Sequence, residues 1–83
     1  MRFDYRTYNL LELHQKALLL NSEAVFIDHL YESKIIFTLF AYNHYYIEVM
    51  VDAETNDLIS IMAFSDISRL DKYLNSVSLD EIL

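Results

Sequence analysis

Glycine, proline and cysteine are all missing from this 83-residue chain. Average usage would supply roughly ten glycines and prolines together. Phosphate-cradling loops and oxyanion nests lean on glycine, because only a missing Cβ lets a backbone approach a ligand that closely. Disulfides, thiol chemistry and most zinc sites need cysteine. Basic residues are also few: 6 Lys and Arg against 13 Asp and Glu give a net charge of −7 and a pI near 4.6. They are spread over the chain, so direct nucleic-acid binding, which needs them clustered, is not expected. No stretch approaches the ~18 apolar residues of a membrane helix, and Met1-Arg2-Phe3-Asp4 lacks the apolar run of a signal peptide. A cytoplasmic protein without a membrane partner is the expectation.

What is present is a core. A hydrophobic fraction of 54% with 14% aromatics excludes intrinsic disorder despite the charge. At 9.9 kDa, residues 1–83 make a single domain near the size where one core becomes marginal. Small domains gain stability from disulfides, a metal or oligomerisation. The first is impossible here, and the three scattered histidines argue against the second. Self-association is left.

Residues 8–20 predict a helix, with Asn9 as N-cap and Glu12 completing a capping box. Leu10, Leu13, Ala17 and Leu20, flanked by Leu11 and Leu18, form its apolar stripe, and Asn21-Ser22 ends it. β-Branched and aromatic residues then predict strands over 24–31, 34–42, 45–52 and 58–64. The breaks are Glu32-Ser33, Asn43-His44 and Ala53-Glu54-Thr55-Asn56, with Asn43 and Asn56 taking the backbone conformations usually left to glycine. Ser65 caps a second helix to about Leu74 with Ile67, Leu70 and Leu74 inward, and Ser78 caps a last short turn. Short strand connections imply an antiparallel meander. The expected fold is α+β and two-layered, in the order α-β-β-β-β-α.

Loop lengths set register, and register assigns faces. Two-residue loops pair Tyr42 with Tyr45 and Tyr31 with Lys34, and Asp52 falls opposite Asp57. One face then carries Val25, Ile27, His29, Phe40, Tyr42, Tyr45, Ile47, Val49, Met62 and Phe64. The other carries Phe26, Asp28, Leu30, Phe37, Leu39, Tyr46, Glu48, Met50 and Ile61. Both are apolar, unlike a meander with one solvated face. One helix can lie on each face, or both can share one. Sharing leaves an apolar face to water, which a symmetric dimer would bury.

The candidate interface is Phe37, Leu39, Tyr42, Tyr45, Tyr46 and Met50; Tyr42, Tyr45 and Tyr46 gather at one hairpin end, with Tyr31 placed near them. Asp52, Glu54 and Asp57 form an acidic tip. With Asn56 and Ser60 it mimics a calcium loop, but Asp57 stands where glycine is needed and Ala63 where a bidentate glutamate is needed. Asp28 and Glu48 share a face, where paired carboxylates could serve acid–base chemistry. His29 points away from Asp28, and no two of His14, His29 and His44 have the i, i+4 spacing of a helical metal site. No catalytic, metal or cofactor residue is assigned.

The run Tyr46-Ile47-Glu48-Val49-Met50-Val51-Asp52-Ala53-Glu54-Thr55-Asn56-Asp57-Leu58-Ile59-Ser60-Ile61-Met62-Ala63-Phe64, with Leu70-Asp71-Lys72-Tyr73-Leu74 and Leu79-Asp80-Glu81-Ile82-Leu83, resembles small conserved bacterial proteins of unknown function. The resemblance covers the C-terminal half and brings no activity or functional residue. The expected role is therefore a non-enzymatic interaction module, homodimeric through its sheet or an edge strand. The alternatives are an acidic neutraliser of a basic protein (antitoxin, immunity protein or nucleic-acid mimic) and a small carrier or enzyme. The last would use a sheet–helix pocket holding Asp28, His29 or Glu48.

Overall fold

The computed structural model of the chain describes residues 4–76. Helices α1 (Tyr5–Leu10) and α2 (Leu13–Glu23) precede strands β1 (Val25–Glu32), β2 (Ile35–Tyr42), β3 (Tyr45–Asp52) and β4 (Leu58–Phe64). A 3-10 turn (Ile67–Leu70) then runs into α3 (Asp71–Ser76). The strands lie in chain order and are all antiparallel, which is the expected α+β meander. Among the described residues no helix is long and apolar enough to cross a membrane.

The single N-terminal helix expected over 8–20 is two helices. Asp4 caps the first, its Oδ1 accepting from the Thr7 N–H at 2.8 Å. Gln15 Oε1 accepts from the Glu12 N–H at 3.2 Å and starts the second. Leu11 between them is extended, which re-aims α2 over the sheet. Asn9 is therefore inside α1 and caps nothing. The expected stripe is redistributed: Leu11, Ala17, Leu19 and Leu20 pack on the core, while Leu10, Leu13 and Leu18 are exposed.

At the other end Asp66, not Ser65, makes the cap, accepting from the Ser68 N–H at 2.9 Å. Leu70 and Tyr73 face the sheet, while Ile67 and Leu74 are exposed. The i, i+3 spacing of Leu70 and Tyr73 across the junction of the turn and α3 brings both to the sheet side. The turn expected after Ser78 lies outside the described residues.

Tyr42 pairs with Tyr45 as expected. The first hairpin closes one residue later, on Glu32 and Ile35, so Tyr31 meets Ile36 instead of Lys34. Ser33 and Lys34 form the loop, both with positive φ (54° and 65°), as a tight hairpin matched to strand twist requires. The slip is two residues in pairing, so faces are kept. Two bulges do change faces. One at Ile27 moves Phe26 across to Phe40, where the rings meet edge-on at 6.1 Å. The other, at Ile59, comes after Asp52 donates to the Asp57 carbonyl as expected (2.8 Å). It turns Ile61 and Ala63 toward α1, and Met62 and Phe64 to the opposite face.

The helices divide between the faces. α1 and α2 cover Tyr42, Tyr45, Ile47, Ile61 and Ala63, with Tyr8 fully buried among them. The C-terminal segment covers part of the other face, packing Leu70 and Tyr73 on Leu39 and Phe64. Neither face is left wholly to water, so the case for a dimer through a bare sheet face does not arise from this arrangement.

Candidate functional site

Pairing aligns Asp28, Leu39, Glu48 and Met62 in one row across the four strands. The two carboxylates that share a face by sequence do share one, separated by two strand spacings, or roughly 10 Å of backbone. Their environments differ sharply. Glu48 is only 3% exposed. Its Oε2 accepts from the Tyr73 hydroxyl at 2.6 Å and meets Lys72 Nζ at 2.6 Å. Lys72 Nζ also lies 3.7 Å from the centre of the Phe37 ring, a cation–π contact. Burial first, then the hydrogen bond to Glu48 and the charges of Glu48 and Asp28, push the Tyr73 hydroxyl well above its usual range. Glu48 is thus a structural acceptor with its ligands in place, unlike a waiting acid–base group.

Asp28 is half-buried, and its Oδ1 accepts from the His29 N–H at 2.7 Å. No cation pairs with it among the described residues. It lines a cavity of about 220 Å³ between the sheet and α3, walled by Ile27, Leu39, Tyr46, Leu70, Tyr73 and Leu74. Among the described residues, Asp28 supplies the only carboxylate in an otherwise apolar and aromatic wall. His29 lies on the opposite face, paired with Thr38, and does not enter.

The tyrosines separate. Tyr42 and Tyr45 meet edge-on at 5.5 Å, and Tyr8 lies 6.3 Å from each. Burial raises the Tyr8 hydroxyl to about 12, with Tyr42 adding to the effect. Tyr45 is raised further, again chiefly by burial. Tyr46 is on the other face, stacked on Phe64 at 5.8 Å. Tyr31 stands at the far end of the sheet, opposite Ile36, not beside them. Of the candidate interface, Leu39, Tyr42 and Tyr45 are consumed by the chain's own cores, while Phe37, Tyr46 and Met50 are half-buried.

The acidic tip is also used locally. Asp52 Oδ1 accepts from the N–H groups of Glu54 (2.8 Å) and Thr55 (3.1 Å), and Asn56 takes a positive φ of 65°. Glu54 meets Lys34 at 3.1 Å, and Asp57 is exposed. His14 is exposed beside Glu12, and His44 is exposed at its hairpin tip. Among the described residues no three His, Asp or Glu side chains gather as a metal site would require.

The two sheet edges are treated differently. On β4, the Asn9 side chain pairs with the Ala63 backbone, donating to its carbonyl at 2.9 Å and accepting from its N–H at 2.7 Å. Lys16 Nζ reaches the Ile61 carbonyl at 3.4 Å. Among the described residues no strand lies beyond β1, which exposes Val25 (65%), Phe26 (54%), Ile27 (44%) and Tyr31 (63%). It carries no Pro or Lys, the usual edge guards. In the sequence Asn9 reads as a helix cap, and Lys72 and Tyr73 carry no assigned role. The i, i+3 spacing of Leu70 and Tyr73 was the available signal for the last.

The chain matches no family model, no curated protein and no solved structure.

Proposed function

We propose that this protein is a non-enzymatic interaction module that pairs with a second copy of itself across the β1 edge. The observation that carries the reading is the asymmetry of the edges. α1 and α2 cover the Ile61–Ala63 stretch of β4 with three bonds from Asn9 and Lys16, leaving Leu58 and Ile59 exposed, while β1 keeps an apolar, exposed border at Val25, Phe26, Ile27 and Tyr31. Natural sheets blunt an edge they do not use. Here only the bulge at Ile27 and the Asp28–His29 bond interrupt it. A partner would therefore gain more from Val25, Phe26, Ile27 and Tyr31 than from an unbroken ladder. Charge restricts the antiparallel register of two β1 strands. Centring on Asp28 opposes two carboxylates, and centring on Leu30 opposes Asp28 to Glu32. Centring on His29 opposes Asp28 to Leu30 and Ile27 to Tyr31, and avoids both clashes.

The acidic neutraliser has less support, since Asp52 caps its own turn and Glu54 meets Lys34. Light scattering on a sizing column, over a hundredfold range of concentration, tests the reading. The expected species is near twice 9.9 kDa. Val25→Lys and Tyr31→Lys, both at exposed positions, should return it to a monomer with an unchanged circular dichroism spectrum. A wild-type monomer throughout, or dimeric variants, would overturn it.

A further inference from the structure

The cavity beneath α3 holds one carboxylate, Asp28, that meets no group of opposite charge among the described residues. At about 220 Å³ it exceeds the ~150 Å³ of an apolar cavity that holds benzene. An aromatic ring with a short arm fits.

The charged groups nearest the cavity are engaged among the described residues. Glu48 holds Lys72 and Tyr73. Lys72 also lies against Phe37, and Arg69 lies 5.1 Å from the Phe64 ring centre. Among the described residues, Asp28 faces the apolar wall without a cation. A neutral apolar occupant would strip water from this carboxylate without replacing it, which is costly. An anion would be repelled by it. An ammonium would satisfy it, and the rings of Tyr46 and Tyr73 in the wall suit an aromatic body. The net charge of −7 favours the approach of cations as well.

We propose that this cavity binds a small organic ammonium with an aromatic body, its charge on Asp28 and its ring among Leu39, Tyr46, Leu70 and Tyr73. The lining residues all belong to one chain, and Ile27 and Asp28 among them also border the β1 edge.

The test is a titration followed by NMR and calorimetry, using 2-phenylethylammonium as the probe. 2-Phenylethanol serves as the uncharged comparator and 3-phenylpropionate as the anionic one. The ammonium should bind in the millimolar range or tighter, shifting Leu39 and Leu70 resonances. The alcohol should bind at least about tenfold more weakly, the gap expected when a charge-assisted bond is lost. Asp28→Asn keeps an acceptor for the His29 N–H, and should weaken the ammonium by a similar factor while leaving the alcohol unchanged. Leu70→Phe, which narrows the cavity, should weaken both. No saturable binding to folded protein, equal binding of ammonium and alcohol, preference for the propionate, or shifts confined to other residues would each overturn the proposal. Repeating the titration on Val25→Lys separates it from self-association. Binding that survives in a monomer supports the cavity, and binding seen only in a dimer overturns a site within one chain.

Discussion

The side chain of Asn9 and the backbone of Ala63 form a closed pair of hydrogen bonds, 2.9 Å and 2.7 Å long, between α1 and the outer edge of β4. The amide offers the edge the donor and acceptor that a fifth strand would otherwise supply. Ala63 is the residue that permits it, since a larger side chain beneath α1 would hold the helix away. Asn9→Ala should cost about 2 kcal/mol, close to one net unit for each bond lost. Asn9→Asp retains an acceptor for the Ala63 N–H but loses the donor to its carbonyl, and should fall between. Urea unfolding measures both. Values within a few tenths of wild type would show that α1 docks through its apolar contacts alone.

The Glu48 cluster predicts a non-additive pair. Lys72→Met leaves a carboxylate at 3% exposure with Tyr73 as its remaining partner among the described groups. Breaking a buried pair from one side typically costs about 3–5 kcal/mol, whereas replacing both partners is far milder. Glu48→Gln with Lys72→Met should therefore be more stable than Lys72→Met alone. Chemical denaturation of the two single variants and the double closes the cycle. A double variant equal to the sum of the singles would mean that the 2.6 Å contact carries no coupling.

Much of this was legible in the chain, for identifiable reasons. Strand runs and the Asn43 and Asn56 turns could be read because β-branched runs and left-handed asparagine are local signals. The Asp28–Glu48 face could be read because alternation survives a two-residue slip in pairing. Bulges were not legible. Nothing in Phe26-Ile27-Asp28 or Leu58-Ile59-Ser60 marks an extra residue, yet each moves its neighbours to the other face. The helix break at Leu11 is hidden in the sequence for a related reason. Asn9 looks like a cap locally, but its partner is 54 residues away on β4. Likewise Tyr73 is an ordinary aromatic until Glu48 is placed beneath it.

Three of the buried tyrosines, Tyr8, Tyr45 and Tyr73, predict alkaline sensitivity. Burial raises Tyr8 from 10 to about 12, and moves Tyr45 and Tyr73 in the same direction. A group whose folded pKa is raised contributes stability that is full below its unfolded value and is lost as pH rises through the folded one. Stability should hold up to pH 10 and decline between 10 and about 12, with tyrosinate absorbance appearing as the protein unfolds. Lysine ionises in the same range, so Tyr8→Phe is the control: it should flatten part of the decline. It also removes the bond from the Tyr8 hydroxyl to the Lys16 carbonyl (2.8 Å), lowering stability at neutral pH by about 1 kcal/mol. An unfolding midpoint that does not move across this window would contradict the burial of these hydroxyls.

The hairpin at Ser33-Lys34 predicts a gain. Both residues hold positive φ, 54° and 65°, where a Cβ crowds the following carbonyl. For most residues that conformation costs about 1–2 kcal/mol, and glycine escapes it. A chain without glycine has used serine and lysine where an Asn-Gly pair would be easiest. Lys34→Gly sacrifices the Lys34–Glu54 contact, but that pair is exposed and worth well under about 1 kcal/mol. The Lys34 carbonyl still accepts from the Ala53 N–H at 3.0 Å, because that bond is made by backbone alone. Glycine also loosens the unfolded chain, which offsets part of the gain. Lys34→Gly should therefore stabilise by roughly 0.5–1 kcal/mol, and Ser33→Asn with Lys34→Gly by somewhat more. Thermal unfolding read at one protein concentration checks this. A loss on Lys34→Gly would mean that the Glu54 contact, not backbone strain, governs this turn.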